Sequence, residues 1–214
     1  MNLWRRVSRA RQSPDKKSRR ERGAALVEFA LVAPLFFLVV FGGIELGLMA
    51  RVSLTLNDAS RTAVRTASIE RDRVDADADI LEDVNRRLGG LNGELVRVTI
   101  WNADTLSSDF DDLSMNCRTG TSQFDECTVY TAAQVDTIVA NPDVFTNPAL
   151  ATTAMTLPAM AFDPSRRVDS TGGVINVGIH IEYEYQFVTG FFDTTTLTST
   201  SIEVIETELD ILDP

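Results

Sequence analysis

The longest apolar segment of the chain lies near its amino terminus. It begins at Ala24, directly after a basic cluster that ends at Gly23, and it holds no charged residue from Phe29 to Ile44. Those 16 residues would span about 24 Å as a helix, and the apolar residues on either side extend the segment to roughly the 30 Å of a bilayer core. The alternative is a buried core helix of a soluble domain. Because the segment is apolar on every side instead of along one stripe, we expect a membrane-inserted helix.

A change of pattern after Arg51 predicts that the same helix leaves the membrane and becomes amphipathic. Ala59, Ala63 and Ala67 recur at every fourth position, which places them on one helix face. We therefore expect one helix from Ala24 to about Ser68, whose second half covers a sheet through this alanine row. The competing use of the row is contact with a neighbouring subunit.

An acid-rich segment follows and predicts the start of a second helix. Its carboxylates would lie near the positive amino-terminal end of that helix, and the pair Gly89-Gly90 would end it. A calcium-binding loop is the alternative, but counted from Asp75 the required central glycine is Ile80 and the closing glutamate is Arg86. The apolar residues with helical spacing are Val74, Ala78, Leu81, Val84 and Leu88.

Strict alternation of apolar and polar residues predicts the clearest strand, from Val174 to Val188. Such alternation is typical of a sheet with one buried face and one polar face. We expect Leu197–Leu209 to return as its hairpin partner. The buried face would hold Ile175, Val177, Ile179, Ile181, Tyr183, Tyr185 and Phe187, and the polar face Asn176, Gly178, His180, Glu182, Glu184 and Gln186.

The remaining segments complete a small α+β fold. Leu95–Trp101 is predicted to be a short strand after the turn Asn92-Gly93, and Ala132–Ala140 a short helix. The polar segments Asn102–Thr131 and Asn147–Gly173 are predicted to be loops. The fold class is therefore α+β, with a long amino-terminal membrane helix that continues into an amphipathic half packed on a small antiparallel sheet.

Charge is divided unevenly along the chain. Residues 1–23 hold nine Lys or Arg and two acidic residues, a net charge of +7, whereas the remainder carries −18. A short basic segment before a membrane helix stays in the cytoplasm, which places the acidic remainder outside. A nucleic-acid-binding arm is the alternative, but the segment has one aromatic residue, Trp4, and no recognisable binding module. We therefore expect no nucleic-acid partner.

Cysteine and histidine usage narrows the chemistry. Cys117 and Cys127 form an even pair in a domain expected outside the cytoplasm, which favours one disulfide over two reduced thiols. Nine intervening residues and a single histidine, His180, argue against a zinc site. The sequence holds no phosphate-binding glycine loop with lysine and no nucleophile elbow. We expect no enzyme activity, no metal and no cofactor.

Glu28 is out of place, because it lies just inside the apolar segment. A carboxylate in hydrocarbon costs about 2.5–3.5 kcal/mol at the membrane centre and less near its edge. The simple alternative is that Glu28 lies near the cytoplasmic headgroups. If the chain were cut between Gly23 and Ala24, however, Glu28 of one subunit would pair with the new terminal amine of a neighbour. That pairing would neutralise both charges and set the axial offset of the subunits.

The sequence around this glutamate resembles a known family. Gly23 followed by AALVEF and a long apolar run is similar to a type IV prepilin leader with its cleavage site. RGAALVEFALVAPLFFLVVFGGIELG resembles the start of TadE-like minor pilins of the tight-adherence (Flp) pilus system. The resemblance implies a pilin-like fold, cleavage by a prepilin peptidase, and packing with other pilin or minor pilin subunits. The processing site would be Gly23, Ala24, Glu28 and Phe29, and the residues for subunit assembly would be Glu28, Pro34 and Glu45.

Three segments are expected: a basic cytoplasmic leader at 1–23, a membrane-embedded helix at 24–50 and an extracytoplasmic helix-plus-sheet domain at 51–214. The leading hypothesis is a minor pilin or pseudopilin. It would cross the bacterial inner (cytoplasmic) membrane once, with its amino terminus in the cytoplasm, and its incorporation into the pilus is left open. The alternatives are an uncleaved single-pass anchor that presents a binding ectodomain, and a membrane-tethered enzyme.

Overall fold

The part of the chain that the structure describes folds as helices around one antiparallel sheet. The computed structural model describes residues 16–70, 73–103, 109–146, 162–164, 167, 175–190 and 193–205. The predicted α+β class is confirmed. In chain order the elements are α1 (Lys16–Glu70), α2 (Ala76–Leu88), β1 (Gly93–Asn102), α3 (Met115–Thr119), β2 (Cys127–Thr131), α4 (Ala132–Ala140), β3 (Ile175–Tyr185) and β4 (Thr195–Ile205).

The long helix α1 begins earlier than predicted, at Lys16, and ends close to the predicted position. Pro34 lies inside it. The chain divides into two compact units, of which the first ends at Ile44 and the second begins at Glu45. Residues 45–50, which the sequence pattern assigned to the membrane segment, therefore belong to the second unit.

The sheet has the strand order β2-β1-β3-β4, and every neighbouring pair is antiparallel. β3 and β4 form the predicted hairpin, although β3 is shorter than the predicted strand Val174–Val188. β1 lies between β2 and β3. Gly93 at its start lies opposite Tyr185 of β3, and Trp101 near its end lies opposite Cys127 of β2.

One face of the sheet packs against the distal half of α1 and against α2 and α4. Ala59, Ala63 and Ala67 are fully buried there, and Ser60 Oγ lies 2.8 Å from Ser199 Oγ of β4. Small side chains let the helix approach the strand closely, so the alanine row is used inside the subunit, as predicted. The same core contains Val52, Leu56, Ile80, Leu81, Val84, Val135, Ile138, Val177, Ile179, Ile181, Tyr183 and Tyr185.

Two short helices test the sequence pattern in detail. Val74, counted among the helix positions, lies before α2 and is exposed, whereas Ile80, which the spacing left out, is buried. α4 has the predicted bounds, and Thr131 with Gln134 forms a capping box at its start. A capping box satisfies backbone N–H groups that a helix start leaves without partners, and it fixes where α4 begins.

The outer face of the sheet is not wholly polar, so that prediction was wrong. The expected loop Asn102–Thr131 contains α3 and β2, and it places a second hydrophobic cluster on this face. Trp101 lies so close to Gly178 that a Cβ there would sit 2.1 Å from Trp101 Cε2. His180, expected to face solvent, is only 7% exposed. The cluster consists of Trp101, Ala103, Phe110, Leu113, Cys117, Cys127 and Val129.

A buried ion pair connects two distant parts of the second unit. Asp77 of α2 and Arg167 are both fully buried and form a salt bridge, and Tyr130 Oη donates a hydrogen bond to Asp77 Oδ2 at 2.6 Å. Burial raises the pKa of Tyr130 well above its ordinary value, and the Asp77 carboxylate adds to this. Most of the predicted loop Asn147–Gly173 lies outside the described residues, but Arg167 within it belongs to the interior.

Candidate functional site: the exposed apolar half of helix α1

Among the described residues, exposed large apolar side chains are concentrated in residues 24–44 of α1, which we call its apolar half. Leu31, for example, exposes 75% of its surface. In the described part of the chain one helix, Gly23–Glu70, is long and apolar enough to cross a membrane, and none of its most apolar window is buried. The exposed set is Leu26, Val27, Phe29, Leu31, Val32, Leu35, Phe36, Phe37, Leu38, Val39, Val40, Phe41 and Ile44.

Such a surface requires a cover other than water. Each Å² of apolar surface removed from water contributes about 25 cal/mol, and soluble monomers rarely expose apolar patches above a few hundred Å². Acyl chains of a bilayer can cover the whole circumference of the helix. Helices of neighbouring subunits can replace part of the lipid through close van der Waals packing. The exposed half of α1 therefore has the properties of a membrane anchor and of a helix-packing surface.

The residues expected at the processing site lie at the amino-terminal end of this surface. Gly23, Ala24, Glu28 and Phe29 are all exposed and helical, and α1 continues without a break through the Gly23-Ala24 bond. Ala24 precedes Glu28 by four residues, and residues at that spacing are neighbours on one helix face. The structure therefore brings Glu28 close to the position that a new terminal amine would occupy.

Proline and glycine interrupt the large side chains of α1. Pro34 has no backbone N–H, which deprives the carbonyl of Ala30 of its usual helical partner. A Cβ added at Gly42, Gly43 or Gly47 would meet no atom within 4 Å. These three positions leave shallow, uncovered surface, of the kind that lets a second helix approach closely.

Glu45, expected among the residues for subunit assembly, is buried inside its own subunit. Only 2% of it is exposed. Its Oε1 accepts hydrogen bonds from the backbone N–H of Val188 at 2.6 Å and from Tyr185 Oη at 3.3 Å, and its Oε2 accepts one from the Thr189 N–H at 3.3 Å. Burial, together with the nearby carboxylate, raises the pKa of Tyr185. Glu45 ties α1 to the end of the β3–β4 hairpin within one subunit.

A signal for this position was present in the sequence. Met49, Val52, Leu56 and Ala59 pack toward the sheet, and Glu45 continues their spacing of three and four residues by one more step. That spacing marks one helix face. The glutamate lies on the buried face, so a hydrogen-bonded position inside the subunit could have been inferred.

The two cysteines are joined by a disulfide that holds the outer cluster in place. Cys117 and Cys127 are fully buried, with their Cα atoms 6.0 Å apart. Phe110 precedes the loop that they close and stacks on His180, with the two ring centroids 3.7 Å apart. Burial, with a smaller contribution from the charge of Arg97, lowers the pKa of His180 to about 4, while Asp111 opposes the shift.

Chemistry at this covered histidine finds little support. Its Nδ1 lies 2.8 Å from Thr200 Oγ1, and beside it is an open depression of about 340 Å³. In that depression Arg97 Nε is already paired with Glu182 Oε2 at 2.6 Å. Among the described residues, no group of three or more His, Cys, Asp or Glu side chains could hold a metal ion. His180 has the surroundings of a packed structural residue.

A helix long and apolar enough to cross a membrane, followed by a disulfide-closed α+β unit, fits the class of single-pass membrane-anchored proteins. Residues 23–65 match the family described as TadE-like protein. This segment of the chain is therefore similar to TadE-like proteins, as the resemblance predicted. The matched range contains Glu28, Pro34 and Glu45. Comparisons with curated proteins and with solved structures gave no match.

Proposed function

We propose that this protein is a minor pilin or pseudopilin that assembles into a Tad pilus apparatus through residues 24–44 of α1 and performs no catalysis. One observation carries the proposal. The distal half of α1, from Glu45 onward, packs against its own subunit, whereas the apolar half exposes its large side chains. A helix of this kind is available for lipid and for neighbouring helices, and the TadE-like match covers it.

The charge distribution and the disulfide support an orientation. The basic residues 1–23 would stay in the cytoplasm by the positive-inside rule, and the acidic remainder would lie outside. A disulfide between Cys117 and Cys127 suits an oxidising compartment outside the cytoplasm. The protein would therefore cross the bacterial inner membrane once.

A prepilin peptidase would cut the bond between Gly23 and Ala24. Because α1 is helical through this bond, cleavage requires local unwinding of the helix. Glycine is a poor helix residue, which lowers the cost of opening the chain at Gly23. The mature protein would then begin with the amine of Ala24.

Mass spectrometry of the mature protein tests this step. The expected amino terminus is Ala24, and Gly23→Leu should leave the leader attached. Gly42→Ala, a change at another glycine of the same helix, should be cut like the wild type. An amino terminus at Met1, or at any residue other than Ala24, would contradict processing.

Glu28 would hold subunits together by pairing with a terminal amine in the membrane. The attraction between two opposite charges is strong at low dielectric, and the pair removes the cost of leaving either charge alone. The amine of its own chain lies four residues away and competes with that of a neighbour. Pairing between chains is favoured if it also brings the apolar helices into contact.

Replacing Glu28 tests the pairing. Glu28→Gln and Glu28→Leu should reach the membrane at normal levels and reduce fibre production, measured by shearing fibres from cells. Glu184→Gln is the control, because Glu184 is exposed on the sheet and far from α1's apolar half in sequence. Unchanged fibre production in both Glu28 variants would favour the second candidate.

That second candidate is an uncleaved single-pass anchor that presents a binding ectodomain. The uninterrupted helix across the Gly23-Ala24 bond is the observation in its favour, since an anchor needs no opening there. Retention of the leader together with indifference to Glu28 would establish it.

A further inference from the structure

The turn between β3 and β4 is unusually apolar for a connection between strands. Its described residues 186–190 form the hairpin tip, with the sequence Gln-Phe-Val-Thr-Gly, and the sequence continues with Phe191-Phe192. Turns are ordinarily rich in Gly, Asn, Asp, Pro and Ser. Val188 nevertheless exposes 62% of its surface, and the half-buried Phe187 contacts the ring of Tyr185 edge-on, with centroids 5.2 Å apart.

The hairpin tip is held at one fixed position along α1. The carboxylate of Glu45 accepts hydrogen bonds from the N–H groups of Val188 and Thr189. The same carboxylate accepts a third hydrogen bond from Tyr185 Oη. Three hydrogen bonds to one buried carboxylate leave the tip little freedom to move away from residue 45. A carboxylate that accepts backbone N–H groups forms charge-assisted bonds, which are stronger than neutral ones.

Glu45 directly follows the uncharged run that ends at Ile44. Counted from Ala24, the apolar segment reaches Ile44 after 21 residues, about 32 Å of helix, which matches the roughly 30 Å of a bilayer core. The outer boundary of the hydrocarbon therefore falls close to Glu45. A tip that is tied to Glu45 lies at this boundary.

We infer that the hairpin tip inserts into the outer interface of the membrane that α1 crosses, with Val188 in contact with lipid. The occupant of this surface is the boundary between headgroups and acyl chains. The inference rests on the proposed membrane crossing of α1, but it adds a second contact that the helix alone does not require. Glu45 then has a function: it sets the height of the sheet above the bilayer.

The charges next to the hairpin tip indicate which kind of attraction would hold the tip at the membrane. Glu94 and Glu184 lie opposite each other next to the tip and are both exposed. Two carboxylates would be repelled by anionic headgroups, so the contact depends on apolar burial. The contact should therefore not require anionic lipid.

Depth-dependent quenching of a fluorophore tests the inference. Single cysteines are introduced into the full chain and labelled with an environment-sensitive dye without reductant, so that the Cys117–Cys127 disulfide stays closed. The labelled chains are reconstituted into phosphatidylcholine vesicles that carry nitroxide lipids, either shallow or deep, with or without phosphatidylglycerol.

Three positions are compared. Val188→Cys reports on the tip, and Phe36→Cys, exposed within the apolar run, reports on the crossing of α1. Met115→Cys is the matched control, because Met115 is 76% exposed and lies on α3, which packs beside the far end of β1 from Gly93. All three native side chains are exposed, so none of the substitutions removes core packing.

Under the inference, the label at Val188 shifts its emission to the blue and is quenched more by the shallow nitroxide than by the deep one. Interfacial apolar groups lie about 5–10 Å into the headgroup–acyl boundary, which is where shallow nitroxides quench. The label at Phe36 is quenched by the deep nitroxide, and that at Met115 by neither. Phosphatidylglycerol leaves this pattern unchanged.

Two other results separate the possible failures. Quenching at Phe36 with none at Val188 overturns the inference and leaves the membrane crossing intact. No quenching at Phe36 removes the membrane crossing itself, and with it the proposed function and the inference. Quenching at Val188 only with phosphatidylglycerol overturns the apolar basis of the contact.

Discussion

Two glutamates of α1 have opposite surroundings. Glu28 is exposed on the apolar half, whereas Glu45 is buried and accepts three hydrogen bonds from the hairpin. A carboxylate that accepts hydrogen bonds inside the subunit stabilises the fold. A carboxylate among apolar side chains without such donors costs free energy until a positively charged partner binds it. Glu45 therefore acts on folding of the subunit, whereas under the proposed function Glu28 acts on assembly.

Removing the Glu45 carboxylate should destabilise the second unit. Glu45→Ala removes the acceptor of the part-buried N–H groups of Val188 and Thr189, at up to about 1–3 kcal/mol for each group that water does not reach. Glu45→Gln retains one acceptor oxygen and should lose less. Urea unfolding of the full chain in detergent, followed by the fluorescence of buried Trp101, measures the difference. Glu184→Ala should stay within about 0.5 kcal/mol of the wild type, as is usual at exposed sites; equal stability of Glu45→Ala would contradict the role of Glu45.

His180 should make the fold less stable in acid. Its pKa is lowered to about 4 in the folded protein, chiefly by burial, against about 6.5 in an unfolded chain. Between these values the unfolded chain binds a proton that the folded chain does not, so unfolding becomes easier as pH falls through this window. The loss is at most on the order of 3 kcal/mol and is complete below pH 4.

Unfolding titrations at pH 7, 5 and 4 measure this effect. His180→Gln removes the titrating ring, so its stability should fall less than that of the wild type over the same range. The arginine and aspartate near the ring, Arg97 and Asp111, stay in place as common background. If the free energy of unfolding falls equally with pH in the two proteins, His180 is not shielded from solvent and the prediction is wrong.

At the scale of elements, residues 109–129 convert an exposed sheet face into a second small core. Phe110 and Trp101 pack edge-on, with centroids 5.5 Å apart, and Gly178 leaves the space for the indole. This segment is short and largely polar, and its disulfide joins α3 to β2 inside the cluster. Loss of the disulfide should therefore loosen the residues that pack around it.

Opening the loop should weaken the fold and uncover His180. The double variant Cys117→Ser, Cys127→Ser loses about 2–3 kcal/mol in the loop-entropy account of disulfides. Phe110 shares a cluster with both cysteines, so loosening that cluster should partly uncover His180 and raise its pKa toward the ordinary value. Thermal unfolding and an NMR titration of the imidazole measure the two effects. Met115→Ser, on the exposed side of α3, is the control and should change neither.

Long periodic elements were predictable from the sequence, and contacts between distant residues were not. The alternation of β3, the alanine row of α1 and the bounds of α4 follow from local periodicity. β2 and α3 were missed because each has only five residues, too few to show a period. Phe110 and Leu113 are isolated among polar residues and are buried only through contacts with distant residues. The buried pair of Asp77 and Arg167 gave no local signal, because 90 residues separate its members.

The candidate site was predictable in part for the same reason. The apolar half of α1, with Glu28 and Pro34, is a property of consecutive residues and can be read without a fold. Glu45 required knowledge of which face of α1 meets the sheet, and the sequence resemblance directed it toward assembly. Its hydrogen bonds to Val188 and Thr189 join residues more than 140 positions apart.

At the scale of the whole molecule, the two compact units differ in how their apolar side chains are covered. The unit that begins at Glu45 closes its own core with the distal half of α1, the sheet and the disulfide loop. The unit that ends at Ile44 leaves its large apolar side chains exposed. Such an exposed apolar surface is suited to a membrane and to packing with other helices, as the proposed function requires.

Site-specific photocrosslinking in cells that assemble the fibre tests this division most directly. A benzophenone amino acid is placed in turn at Phe36, Leu38 and Phe41, all exposed on α1. We expect adducts with other pilus subunits from at least one face of the helix, and their loss in the Glu28→Leu background. Adducts with lipid alone from every position, in cells that still produce fibres, would contradict the account.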